Sequence, residues 1–399
     1  MLTDFTPARR PVSICSPHGG HVRITIVTES FLPSVNGVTT SVCRVIDHLV
    51  QSGHEVSVIA PAPAPPQYRG CPVETVPSVP VRQFPVGVPT RRVAELLRHA
   101  APDVVHLASP VVLGARGMLA AQELGIPTVA VYQTDIARYL VQHGGRAGIH
   151  AARAAWRHLR WIHTSADVTL APSRAAVHDL EQVGIPRVTL WGRGVESLFH
   201  RHWQEDAGCR ALRRRLAPQQ EVLVGYVGRL APEKEVHRLR PVLRLPGVRV
   251  VVVGDGPSRR ALETALPGAV FLGRRDGDDL ARAYGALDVF VHTGTSDTFG
   301  QTLQEAAACG LPVVAPATGG PLDLVEDGVT GLLFDPKDHD GLRSCVHFLS
   351  CAEDSWQNRA LMGEAGAGRV ASRRWSRLTE ELLRHYQRAC RRHMNVRVH

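Results

Sequence analysis

The hydrophobic pattern alternates between strand and helix from near the start of the chain. Residues 22–30 (VRITIVTES) form an apolar run of strand length. A glycine-containing loop at 31–38 and a helical pattern to Val50 follow it. A second apolar run lies at 53–61, and this strand, helix, strand order predicts a βαβ unit at the front of a parallel sheet. Residues 61–90 are rich in proline and weakly patterned, and read as an irregular or β-rich excursion. The alternation then resumes with a helix over 91–100, a strand at 103–109, a helix over 114–124 and a strand at 127–134. A long helix over 146–165, a strand at 167–173, a short helix to Val183 and a strand at 188–194 complete this half.

Over 196–218 the pattern breaks, and a fresh alternation starts beyond it. Its strands are 221–230, 248–257, 269–273, 288–294, 312–317 and 331–335, with helices in most of the gaps. Residues 375–392 are amphipathic, with Trp375, Leu378, Leu382, Leu383 and Tyr386 on one helical stripe expected to pack on the body. The expected organisation is a disordered extension over 1–20, a first Rossmann-like domain over 21–195 and a linker over 196–218. A second Rossmann-like domain over 219–372 and a C-terminal helix and tail over 373–399 follow. The fold class is α/β: two doubly wound parallel sheets facing a central cleft. Such sheets bind ligands at the carboxyl ends of their strands, so polar residues just after strands are the functional candidates.

Composition narrows this picture. A chain of 399 residues that is 44% hydrophobic and 21% charged is neither disordered, collagenous nor a coiled coil. No stretch approaches the ~20 apolar residues of a membrane span. The first residues lack the apolar core of a secretory signal, so a cytoplasmic location is expected. Eight cysteines form no Cys-x-x-Cys pair and suggest neither a zinc site nor a disulfide framework. The formal charge of +9 is spread along the chain, without the dense run of a nucleic-acid arm. No nucleic-acid partner is expected, and docking on an anionic membrane surface stays open. Of 46 basic residues only Lys234 and Lys337 are lysines, which draws attention to Lys234.

The candidate chemistry follows two strands of the second half. In 294–320, Asp297 and Glu305 stand eight residues apart. Thr298 and Gln301 have capping-box spacing, which predicts Asp297 at a helix N-terminus. Gly319 and Gly320 are expected to open another helix with amides toward an anion. In GRLAPEKE (228–235), Arg229 and Lys234 combine a planar fork with a point charge, a pairing suited to a diphosphate. Two carboxylates beside amide-rich turns suit a polyhydroxyl ligand that carries phosphate. Other positions read two ways. His106 fits a satisfied structural histidine as well as a ligand contact. Asp135 and Arg138 fit a local ion pair or an acceptor side, and Arg193 and Glu196 fit surface charges or sugar-phosphate contacts. His158, His163, His200 and His202 have a surface-like context. Gly254 opens a Gly-x-Gly after a strand, yet Arg259 stands where a dinucleotide fingerprint needs its third glycine.

Seven segments carry a resemblance: TESFLPSVNGVTTSV (28–42), DVVH (103–106), VYQTD (131–135), WGRGVE (191–196), GRLAPEK (228–234), VVGDGP (252–257) and SDTFGQTLQEAAACGLPVVAPATGG (296–320). Over residues 22–390 the chain resembles the retaining family 4 glycosyltransferases of GT-B fold, especially actinobacterial nucleotide-sugar-dependent α-mannosyltransferases. The resemblance implies that Arg229 and Lys234 hold the donor diphosphate, that Asp297 contacts the transferred sugar and that Glu305 contacts the nucleotide ribose. It implies that amides near Phe299, Gly300 and Gln301 face the sugar and phosphates, and that Gly37 leaves room for the donor. His106, Arg193, Gly254 and Gly319 complete the expected donor site, and Gln133 joins the reaction centre. Two departures stand out. Asp297 replaces the commoner Glu, and Gln133 stands where the family often has His, able to hydrogen-bond but not to titrate.

The implied reaction moves a hexosyl group, with retention, from a nucleotide sugar to a lipid-linked or small polyol acceptor. GDP-mannose is the favoured donor, and the leaving phosphate serves as base toward the acceptor. No Asp-x-Asp motif ends a strand, so no metal or other cofactor is expected beyond the nucleotide sugar as co-substrate. Two alternatives remain beside this reading. One is a UDP-glucose or UDP-N-acetylglucosamine enzyme of glycolipid or aminocyclitol biosynthesis. The other is a degenerate GT-B protein that only binds nucleotide sugar.

Overall fold

A computed structural model describes residues 20–34, 36–81, 84–133 and 145–398. Residues 1–19 of the expected extension, and Asp135 and Arg138, lie outside the described residues. The opening unit forms as the pattern predicts: β1 (Arg23–Thr28), α1 (Gly37–Gln51) and β2 (Glu55–Pro61), with β1 and β2 parallel. Asn36 starts α1, its side-chain oxygen accepting the Val38 and Thr39 N–H groups at 3.0 Å.

The proline-rich excursion is strand. β3 (Gln67–Tyr68) and β4 (Cys71–Val76) extend the sheet, while β5 (Ser78–Val81) and β6 (Phe84–Gly87) form a separate hairpin. Prolines hide this in the sequence but fit here, because a two-stranded hairpin leaves each strand one edge with no ladder to break. Beyond it come α2 (Arg92–Ala100), β7 (Val104–Ala108), α3 (Leu113–Leu124), β8 (Thr128–Val131), α4 (Gly145–Ser165), β9 (Val168–Ala171), α5 (Arg174–Gln182) and β10 (Val188–Leu190). The first sheet has the order β10-β9-β8-β7-β1-β2-β4-β3, and only β3 runs antiparallel.

The segment expected as a linker is folded. Arg201–Glu205 make a 3₁₀ turn, and α6 (Ala207–Leu216) starts at Asp206, whose carboxylate accepts the Cys209 N–H at 2.8 Å. α6 buries only Cys209 and Leu216 along a run of arginines, so its apolar face is too sparse to read as a periodic pattern.

The second sheet then forms from β11 (Val222–Val227), β12 (Val248–Val253), α7 (Arg259–Ala265), β13 (Val270–Gly273), α8 (Gly277–Ala286), β14 (Val289–Val291), α9 (Gln301–Ala308), β15 (Val313–Pro316), α10 (Pro321–Leu324) and β16 (Gly331–Phe334). Its order is β13-β12-β11-β14-β15-β16, all parallel. The strand order reverses at β11, which lies between β12 and β14. The loops after β11 and β14 therefore diverge around a crevice, the place where open α/β sheets take ligands.

After α11 (Gly341–Ser350) and α12 (Ser355–Val370), α13 (Trp375–Val398) returns to the first lobe. Trp375, Leu382 and Tyr386 are buried in the first sheet's core beside Val42 and Ile46. Burying each such side chain stabilises by roughly 1.5–3 kcal/mol. The two crossings between lobes run side by side, with the Val195 N–H donating to the Arg373 carbonyl at 2.8 Å. Among the described residues no helix is long and apolar enough to cross a membrane. His163 departs from its surface-like reading: its ring is fully buried on α4 near Tyr132, and burial lowers its pKa to about 4.

Candidate active site

The crevice of the second sheet gathers the charged candidates. β11 ends at Val227, and the next turn is shaped by Gly254, at φ +135°, where a Cβ would collide with the Gly228 carbonyl. The Leu230 N–H donates to the Asp255 carbonyl at 2.9 Å, so the loops after β11 and β12 are zipped together. Gly254 thus shapes the loop that carries Arg229. The Arg229 guanidinium is partly exposed and pairs with Glu233 of the same loop. Lys234 reaches the other way: its Nζ donates to Asp297 Oδ1 at 2.5 Å, bringing the two charged motifs together.

The Lys234 loop is pinned to the loop after β14. Thr293 Oγ1 donates to the Lys234 carbonyl at 2.6 Å, and the Glu235 carboxylate accepts from Thr295 and from Arg238 Nε. Asp297 has a second neighbour, His292, whose Nε2 lies 3.0 Å from Oδ2. With Lys234 and His292 beside it, Asp297 is held well below the usual carboxylate range although burial works against the charge.

The predicted capping box does not form. Gly300, at φ +96°, turns the chain so that α9 begins at Gln301, and Asp297 lies before the helix instead of on its cap. Thr298 Oγ1 instead donates to the Gln133 carbonyl at 3.1 Å, a contact from the second lobe to the first. The Gln301 amide donates to the Gly194 carbonyl at 3.0 Å, tying α9 to the crossing, and the Phe299 ring is buried. Gly319 and Gly320 serve packing as well. A Cβ on Gly320 would collide with the Phe299 carbonyl, and one on Gly319 would lie 2.9 Å from the Asp297 carbonyl. The Gly320 N–H, expected to face an anion, donates to the Asp297 carbonyl at 3.1 Å.

Glu305 lies one turn into α9, half-buried, and accepts a hydrogen bond from the Tyr284 hydroxyl at 2.9 Å. Burial pushes its pKa up to about 7, against the opposing hydrogen bond from Tyr284.

The first lobe contributes neutral groups. Gln133, just past β8, is buried, and its Oε1 accepts from Arg193 Nη2 at 2.9 Å. Arg193, on the crossing after β10, is itself buried, which lowers its pKa to about 10 while Asp297 opposes the shift. Its Nη1 donates to the Gly37 carbonyl at 3.4 Å, and a Cβ on Gly37 would lie 3.0 Å from that nitrogen. Gly37, Gln133 and Arg193 therefore meet at one point, with Asp297 near. Glu196 turns aside, taking Arg44 Nε and Nη2 at 2.9 and 2.6 Å.

His106 is corrected. It lies inside β7, and Nδ1 pairs with the Tyr386 hydroxyl of α13 at 2.7 Å. Complete burial lowers its pKa to about 3, so it stays neutral as a packing residue. Three polar groups escaped the sequence reading. His292 and Tyr284 are single residues among apolar neighbours; His292 directly follows a strand, the one signal that marks it. Glu29 directly follows β1 and turns inward, its Oε1 accepting the Val111 and Gly114 N–H groups at the start of α3, both at 2.8 Å.

Comparison with known proteins adds to this geometry. The model "Glycosyltransferase Family 4" matches residues 35–197 and "Glycosyl transferases group 1" matches 210–366. The GDP-mannose-dependent alpha-mannosyltransferase of Mycobacterium tuberculosis (strain CDC 1551 / Oshkosh) is 46% identical over 380 residues, covering 92% of this chain and 96% of that protein. The protein of the same description from Corynebacterium glutamicum is 39% identical over 375 residues, covering 92% and 88%. Among solved structures, Anabaena HepE in complex with UDP and glucose superposes with a TM-score of 0.71 over 92% of this chain and 99% of that one. At 21% identity, that likeness is one of fold.

Proposed function

We propose a donor and an acceptor class for this chain, which belongs to glycosyltransferase family 4, has the GT-B fold and is a nucleotide-sugar glycosyltransferase. The donor is GDP-mannose, and the reaction is a mannosyl transfer with retention to a hydroxyl of a lipid-linked or small polyol acceptor. The observation that carries the reading is the meeting of Lys234 and Asp297 at the crevice, with Gln133 and Arg193 across from them. The GDP-mannose assignment leans on relatives 39–46% identical over 92% of the chain.

In the reaction, the bond from the sugar C1 to the diphosphate oxygen breaks and a bond from C1 to the acceptor oxygen forms. The acceptor proton passes to an oxygen of the leaving diphosphate. Arg229 and Lys234 match the charge growing on that group, so no metal is required. One preorganised donor of this kind lowers the barrier by about 2.7–4 kcal/mol. Asp297 accepts from hydroxyls of the transferred sugar. Arg193 holds Gln133 Oε1, which orients the Gln133 amide N–H groups to donate to a sugar oxygen. Glu305 accepts the ribose hydroxyls.

We further propose a cytoplasmic enzyme that docks on an anionic membrane surface. On α4 the exposed Arg153, Arg157, Arg160 and Trp161 support this. Co-sedimentation with vesicles containing anionic lipid, weakening as salt rises, tests it.

The main test is a panel of GDP- and UDP-sugars with released nucleotide as the readout. Release of GDP from GDP-mannose is expected, rising with a polyol or glycolipid acceptor. UDP release alone would transfer the reading to a UDP-sugar enzyme. Nucleotide binding with no turnover on any donor and acceptor would contradict catalysis.

A further inference from the structure

His292 follows β14, and its backbone N–H donates to the Val314 carbonyl at 2.8 Å, so the residue is fixed by the sheet. Its side chain is 3% exposed. Among the described residues Nδ1 has no partner, and Nε2 is 3.0 Å from Asp297 Oδ2 without the alignment of a hydrogen bond. Buried polar side chains with an idle nitrogen are uncommon, because an apolar residue fills such a space without loss. The Nε2 edge is the part of this ring that meets something with chemistry.

Asp297 has two cations near it besides this ring, Arg193 and Lys234, and both have further duties. Arg193 is engaged by the Gln133 side chain and the Gly37 carbonyl. Lys234 holds Asp297 Oδ1, and under the proposed function it also meets the donor diphosphate. When its ammonium turns toward that charge, Asp297 loses its firmest contact. The imidazole is anchored by the sheet and stays where it is.

We propose that His292 is a positioning residue: with Nε2 protonated, it holds Asp297 Oδ2, so that the carboxylate keeps its aim at the transferred sugar while Lys234 engages the diphosphate. The inference rests on the donor reading above. It assigns His292 no contact with substrate. Its effect belongs to the oriented acid, so it falls on turnover and leaves donor KM nearly unchanged.

Three substitutions test it in the full chain with GDP-mannose and a polyol acceptor. H292Q places an amide nitrogen as many bonds from Cα as Nε2 is. H292N places one only as far out as Nδ1, and H292L removes the polar edge. Thermal melting accompanies each assay. The expected result is a kcat at least tenfold lower for H292N and H292L, with donor KM changed less than threefold. H292Q should return to within threefold of the parent kcat. On a D297N background, H292N should add little further loss, because it acts through that carboxylate. If H292L does not fold, the Gln and Asn pair decides the matter. Parent kcat in H292N, equal losses in H292Q and H292N, or a change confined to KM would each overturn the proposal. Absence of turnover in the parent protein with every donor would instead overturn the functional reading beneath it.

Discussion

The two lobes present unlike strand ends to the cleft. In the second lobe, the loops after β11 and β14 carry Arg229, Lys234 and Asp297, each partnered by an opposite charge. In the first, Gly37 and the Gln133 amide lie nearest, and the one carboxylate at the end of β1, Glu29, is turned inward onto amides of α3. Under the proposed function, charge is thus concentrated where a pyrophosphate would be held, and neutral donors and acceptors stand where hydroxyls would meet. The difference follows from topology. The strand order reverses at β11, so the second lobe's charged loops splay apart around a crevice, while Arg193, on the crossing after β10, donates to the Gln133 side chain.

The sharpest way to break this contrast is to remove charge from the second lobe. K234A should lower nucleotide release with GDP-mannose by about 10²–10³-fold, the cost of one preorganised donor, in protein whose melting temperature is retained. E305Q should weaken GDP binding by about 10–100-fold, as expected when hydrogen bonds to a charged acceptor are lost, measured by calorimetry. Its pH dependence has a defined sign. The Glu305 pKa is raised by burial to about 7, so the carboxylate that under the proposed function accepts ribose hydroxyls is more populated as pH rises. GDP affinity of the parent should therefore tighten from pH 6 to 8, and E305Q should flatten the profile. Stability runs the opposite way. The charged form is disfavoured in the folded protein, so this residue's contribution declines as pH rises from the unfolded carboxyl's range toward about 7.

The first lobe should yield smaller effects. Q133A removes a neutral hydrogen bond and should lower kcat by about tenfold, since such bonds are worth about 0.5–1.5 kcal/mol. Smallest of all, Y386F deletes the hydroxyl that pairs with His106. It should cost about 1 kcal/mol in urea unfolding and leave turnover unchanged. A loss of turnover in Y386F would return His106 to the site.

The two histidines show what a sequence can convey. His106 ends a short motif, DVVH, and reads as a candidate, yet burial and Tyr386 from 280 residues away make it a packing residue. His292 stands alone after VFV, and nothing local signals that Asp297 will lie beside it. The sheets themselves were readable because parallel strands buried on both faces are near-continuous apolar runs. The hairpin at β5 and β6 was obscured by its prolines, and α6 by its arginines. Lys234 and Asp297 were each visible, but their pairing comes from the adjacency of β11 and β14, which are separated in the chain by two further strands. The turn at Gly300 overrode the Thr298–Gln301 spacing because a left-handed glycine restarted the helix three residues after the acid.

The most direct measurement is a crystal structure of the full chain with GDP. The account predicts diphosphate oxygens within hydrogen-bond reach of the Arg229 guanidinium and Lys234 Nζ, with the ribose hydroxyls on Glu305. GDP seated elsewhere, or seated here with both cations turned away from its phosphates, would contradict it.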